Sequence, residues 1–186
     1  PDRLRAIAND FVAHYEKRVS EGATVCGKAM FVCANRQIAY KLYKLIEEIR
    51  PEWTKIKEAD DGIELTEKER KEIKPIAKLN LVMTRSKDDK KDLWDLLGND
   101  DYKKELDRQF KKVKSNFKIA IVVDMWLTGF DVPELDTMYI DKPVQQHTLI
   151  QTISRVNRVC KGKDKGLIVD YIGIKNSMNK ALRIYT

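Results

Sequence analysis

Gln151, Arg155 and Arg158 lie in a stretch, Gln145 to Val159, where Leu149, Ile150, Ile153 and Val156 recur at helical spacing. With those apolar residues on one face, the amide and both guanidiniums point elsewhere, the two arginines near one side of the helix. Upstream, Thr128-Gly129-Phe130-Asp131 interrupts an apolar run, and Gly129 followed by Pro133 forces a turn. A turn offering a backbone N–H and a carboxylate, facing a helix that carries Gln and two Arg, suits polyphosphate chemistry. It is what one of the two walls of a nucleoside-triphosphate site requires.

The elements around these residues read as an α/β fold. Ile119 to Val123 has the continuous β-branched character of a buried strand, so the Gly129–Asp131 turn falls after its carboxyl end. Ligands bind at that rim in open α/β sheets. Further strands are expected at 28–33, 79–84, 137–140 and 166–170. Helices are expected over 2–20, where Leu4 to Val19 keep helical spacing, and from Asn35, an N-cap, to Pro51. Thr66 and Glu69 form a capping-box pattern before Pro75, and Asp100 or Asp101 opens a charged helix with Leu106, Phe110 and Val113 inward, ending at Ser115-Asn116. A last helix is expected over 176–184. Strands alternating with helices imply a five-stranded parallel sheet with helices on both faces. The expected division is a helical lead-in over 1–27, the α/β domain over 28–174 with a charged surface excursion at 51–78, and a terminal helix over 175–186.

Composition narrows the partners. The 186 residues include 35% charged residues, with a net charge of +7 and a pI near 9.2, so a polyanion partner is plausible. Arg155, Arg158, Lys161, Lys163 and Lys165 cluster around one helix and turn. No apolar run approaches the ~18 residues of a membrane span, and no signal peptide is visible. Cys26, Cys33 and Cys160 lack metal-type spacing and read as reduced thiols of a cytoplasmic protein. The chain opens at Pro1 and reads as an excised piece of something longer.

Other patterns fail on inspection. Gly22 to Ala29 matches a phosphate-binding loop until Ala29, where a hydroxyl is needed for magnesium, and it follows a helix instead of a strand. Asp124 is followed by Met125 instead of a second acid. His14 and His147 have no partner at ligand or triad spacing, and Asp88, Asp89 and Asp92 read as a solvated run. No metal-ligating set and no nuclease constellation is visible.

The two chemical segments resemble motifs V and VI in the second RecA-like domain of superfamily 2 helicases and translocases. Gly129-Phe130-Asp131 is similar to the turn that ends motif V. Gln151, Ser154, Arg155 and Arg158 are similar to Q-x-x-G-R-x-x-R of motif VI, with Ser154 in the glycine's place. T-G-F-D-V-P-E-L-D-T-M-Y-I-D-K-P, L-I-Q-T-I-S-R-V-N-R and K-G-K-D-K-G-L-I-V-D-Y-I-G together resemble the motor (R) subunit of type I restriction enzymes. The resemblance is strong over about 119–174 and looser back to Lys28.

It implies a RecA-like, P-loop NTPase-type sheet acting as the second helicase domain of an ATP-dependent double-stranded DNA translocase. ATP and Mg2+ would be bound mainly by a first RecA-like domain of the same chain. Arg155 and Arg158 would reach across the cleft, Arg158 as arginine finger, with Gln151 ordering the γ-phosphate side. The Gly129 N–H would approach a phosphate, and Asp131 would accept from a ribose hydroxyl. Asn35 and Arg36, in the turn similar to motif IV, and Thr128 would contact the DNA backbone. Val123 and Thr128 depart from the threonine and arginine common at those places. Methylation and specificity subunits are the implied partners, and the nuclease residues would lie elsewhere. Two alternatives stay open: another superfamily 2 helicase or remodeller, and a non-catalytic nucleic-acid-binding domain of the same fold.

Overall fold

The computed structural model describes residues 2–59, 62–127, 131–157 and 166–172, with Arg155 described through its backbone. The chain runs α1 (Asp2–Ser20), β1 (Ala29–Cys33), α2 (Arg36–Ile49), a 3-10 turn (Pro51–Thr54), β2 (Ile56–Lys57), α3 (Glu67–Glu72), β3 (Ile76–Ala77) and β4 (Leu79–Val82). It continues through α4 (Lys91–Leu97), α5 (Asp100–Phe110), β5 (Ile119–Val122), β6 (Thr137–Asp141), α6 (Gln146–Val156) and β7 (Leu167–Asp170).

Five strands pair in the order β4-β5-β1-β6-β7, all parallel, with Ala29 opposite both Ile119 and Thr137. This is the five-stranded parallel sheet expected from the sequence. Side chains alternate across it, as the pleat requires. Ala29, Phe31, Cys33, Leu79, Leu81, Ile119, Ile121 and Tyr139 meet α1, α2 and α4 on one face. Met30, Val32, Val82, Ala120, Val122, Met138 and Ile140 meet α5 and α6 on the other.

Helix α1 belongs to this core. Phe11 is fully buried edge-on to Phe31 at 5.3 Å and to Tyr139 at 4.6 Å. Its packing stops at Tyr15, because Val19, expected inward, is 43% exposed in the last turn. Asn35 caps α2 by accepting from the Ile38 amide at 2.9 Å, and Thr66 with Glu69 completes the expected capping box of α3.

Three expectations need correction. The charged helix ends at Phe110; a turn at Lys112–Ser115 follows it, which leaves Val113 41% exposed instead of inward. Helix α4, placed in none of the expected elements, starts at Lys91 after Lys90, which provides no side-chain cap, and packs Leu93, Leu96 and Leu97 on the first face. It ends at Gly98, whose φ of +72° suits glycine and where a Cβ would overlap the Tyr102 ring. The 51–78 segment is not wholly a surface excursion, since Trp53, Ile76 and Ala77 are buried. Its β2 and β3 form a small antiparallel ribbon. The expected helix at 176–184 lies outside the described residues.

Candidate nucleotide and nucleic-acid rim

Because the five strands are parallel, every loop that follows one opens on the same edge of the sheet. β1 passes to β4 through α2 on the first face, while its neighbour β6 passes to β7 through α6 on the second. The sheet therefore reverses its winding between β1 and β6, and the crevice at their carboxyl ends is the switch point where ligands of such sheets sit. Asn35 and Arg36 follow β1; Lys142 and α6 follow β6; the turn leading to Asp131 follows β5.

Helix α6 has the expected orientation. Leu149 and Val156 are fully buried, Ile150 and Ile153 pack against the second core, and Thr152 adds a buried hydroxyl-bearing residue to that side. Gln151 is exposed. Ser154, in the place of the motif VI glycine, is exposed and donates its hydroxyl to the Ile150 carbonyl at 3.0 Å, so the substitution is accommodated within the helix. Asp131 is exposed while Val132 beside it is buried. Thr128, Gly129 and Arg158 lie outside the described residues, as does the Arg155 side chain, so the described residues show Gln151 and Asp131 exposed and no contact between the motifs.

The turn after β5 is well fixed where described. Val123 is buried in the first core, which removes its side chain from any ligand. Trp126 adopts φ +68°, unusual for a bulky residue. Its ring stacks on Phe110 at 5.3 Å.

At the β1 and β4 ends, Asn35 uses its carbonyl oxygen as the α2 cap and is itself exposed. Arg36 donates to the Thr84 carbonyl and to both oxygens of Asp89, and Asp89 also accepts from the Ser86 amide at 2.8 Å. Asp89 is thus not part of a solvated run; its side chain is 8% exposed. Burial pushes its pKa up, but the Arg36 hydrogen bond, the Ser86 amide and the Arg36 charge together hold it below the usual aspartate value.

Sequence reasoning passed over Asp141 and Lys142, where β6 ends. Asp141, almost fully buried, receives two hydrogen bonds from Arg3 of α1. Lys142 donates to the Val123 carbonyl at 3.0 Å and to Asp124 at 2.5 Å. The available signal was two charged residues closing an apolar strand next to Pro143.

The phosphate-loop look-alike is structural. Lys28 is 1% exposed, donates to the Phe117 carbonyl at 2.6 Å and lies 5.1 Å over the Phe110 ring. His14 bonds Tyr139 at 2.7 Å, and burial lowers its pKa. Among the described residues no three His, Cys, Asp or Glu stand together as metal ligands. Nor is any described helix long and apolar enough to cross a membrane.

Known proteins match this architecture. A Haemophilus influenzae protein, the type I restriction enzyme HindI endonuclease subunit, is 39% identical over all of this chain and 16% of its own length. An endonuclease subunit assigned to the type I restriction enzyme MjaIXP of Methanocaldococcus jannaschii is 41% identical over all of this chain and 15% of its own. The chain therefore spans less than a fifth of either relative. Among solved structures, a fragment assigned to an HsdR subunit of a Vibrio vulnificus type I restriction enzyme superposes with a TM-score of 0.63 at 13% identity, over 95% of this chain and 28% of that one, a likeness of fold. The family described as type I restriction enzyme subunit R domain 3 matches residues 26–173, from the lead-in to β1 through the end of β7, and the chain belongs to that family.

Proposed function

We propose that this chain is the second RecA-like motor domain of an ATP-dependent double-stranded DNA translocase, within the R subunit of a type I restriction endonuclease. The observation that supports this best is α6, which follows β6 at the switch point between β1 and β6 and keeps Gln151 exposed while its apolar side is buried. ATP and Mg2+ would be held mainly by a first RecA-like domain of the longer polypeptide, whose phosphate loop supplies the metal chemistry. From this side, Gly129 and Asp131 would meet phosphate and ribose. Gln151, Arg155 and Arg158 would meet the polyphosphate and stabilise charge on its oxygens. Asn35, Arg36 and Thr128 would face the DNA backbone, Arg36 sharing its guanidinium with Asp89. Methylation and specificity subunits would complete a cytoplasmic assembly.

The test is DNA-stimulated ATP turnover by the longer subunit carrying Gln151→Ala or Arg155→Ala. Each loss should lower kcat by about 10²–10³, the range for a prepositioned charge-stabilising donor. Full turnover in both variants sinks the reading and leaves a non-catalytic nucleic-acid-binding domain of the same fold.

A further inference from the structure

Strand β6 ends at Asp141, and Lys142 follows it; the two charged residues serve different neighbours. Asp141 holds α1 through Arg3. Lys142 reaches the other way: β1 lies between β5 and β6 in the sheet, so its side chain crosses the end of β1 to reach Val123 and Asp124. The two bonds differ in shelter. The Lys142 side chain is 19% exposed and its bond to the Val123 carbonyl is part-buried, whereas Asp124 is 84% exposed, where an ion pair contributes little. The carbonyl bond is therefore the structural one.

Its placement matters because Val123 is the root of the turn that leads to Gly129 and Asp131. Lys142 precedes α6, which begins at Gln146 and carries Gln151 and Arg155. One ammonium group joins the roots of both segments. The described turn has a second anchor in Trp126, packed on Phe110, so its start and its middle are pinned to different parts of the fold. An ammonium on a four-carbon stem suits a bond that spans a strand, since it can place several donors on acceptors from different segments.

We propose that Lys142 is a positioning residue, setting the separation between the segment that begins at Val123 and helix α6 so that Asp131 and Gln151 can meet one nucleotide. This rests on the motor reading above. Reaction rates fall about 10²-fold when such groups are misplaced by ~1 Å, so loosening the clamp should slow turnover without unfolding the domain.

Three variants separate the possibilities. Lys142→Met keeps a linear stem and loses the donors, Lys142→Arg keeps donors, and Asp124→Ala removes only the exposed partner. In this chain, hydrogen exchange of amides 124–127 should quicken about tenfold in Lys142→Met and stay unchanged in Asp124→Ala, with the strands protected in both. In the longer subunit, Lys142→Met should cut ATP turnover about 10–100-fold with only a small fall in melting temperature, and Lys142→Arg should restore most of the turnover. Unchanged exchange in Lys142→Met overturns the clamp. Faster exchange with full turnover overturns its role at the nucleotide. Absence of turnover in the wild-type subunit removes the motor reading and the nucleotide role together, while exchange still judges the bond itself.

Discussion

One guanidinium nitrogen of Arg36 donates to both carboxylate oxygens of Asp89 at 2.6 Å, tying the start of α2 to the loop after β4. A phosphate offered to Arg36 must compete with that carboxylate. Asp89→Asn should therefore raise DNA affinity and steepen its salt dependence by about 0.9 per phosphate gained. If Asp89→Asn leaves binding unchanged while Arg36→Ala weakens the fold by about 1–2 kcal/mol, discounted for the partial exposure of Arg36, the arginine is an anchor only.

The same pair sets a pH dependence. Asp89 titrates below its ordinary 3.8, so its contribution is complete above that value and is lost as pH falls through the lowered one. Melting of wild type and Asp89→Asn should differ at pH 7 and converge as pH falls below the lowered aspartate value. A difference that persists in acid would contradict the pairing.

In the longer subunit, Arg158→Ala should lower DNA-stimulated ATP turnover by about 10³–10⁵ while melting and DNA loading stay near wild type. Lysine should not rescue, because the planar fork that grips two phosphate oxygens is missing. A drop in turnover that only follows lost folded protein would make Arg158 structural.

Phe11→Ala should destabilise the chain by about 3–5 kcal/mol in urea titration, since the ring is fully buried against Phe31 and Tyr139. A loss below about 1 kcal/mol would mean that α1 is docked loosely and the domain core begins at β1.

This chain alone should show no ATP hydrolysis above a blank, with or without DNA. Lys28→Met should lower its melting temperature, because the Phe117 carbonyl loses a buried partner, and leave nucleotide affinity untouched. A nucleotide defect without a melting change would restore Lys28 as a ligand.

Strong periodicity made the five strands, α1, α2 and α6 readable, and the Asn35, Thr66 and Glu69 caps followed from local hydrogen-bond chemistry that sequence spacing preserves. What escaped depended on partners far along the chain. Asp89 looks like one acid in a charged run until Arg36 is brought to it, and α4 has apolar residues but no cap to announce its start. Val113 kept the helical rhythm of α5 past the point where the backbone turns away. At the site, residue types and spacing pointed to α6 and the Asp131 turn. The crossing of β1 by Lys142 could not be read without the strand order.

The central position of β1 also dictates the order in which this protein can fold. Ala29 must wait for Ile119 and Thr137, both made far later, before it has a neighbour on either side. Until then α1, β1 and α2 can cover one another on the first face only, leaving Met30 and Val32 on the second uncovered, and closing such long loops is slow. Refolding should therefore be late and concerted, with the Ala29–Cys33 segment the one most in need of shielding while the chain is still being made.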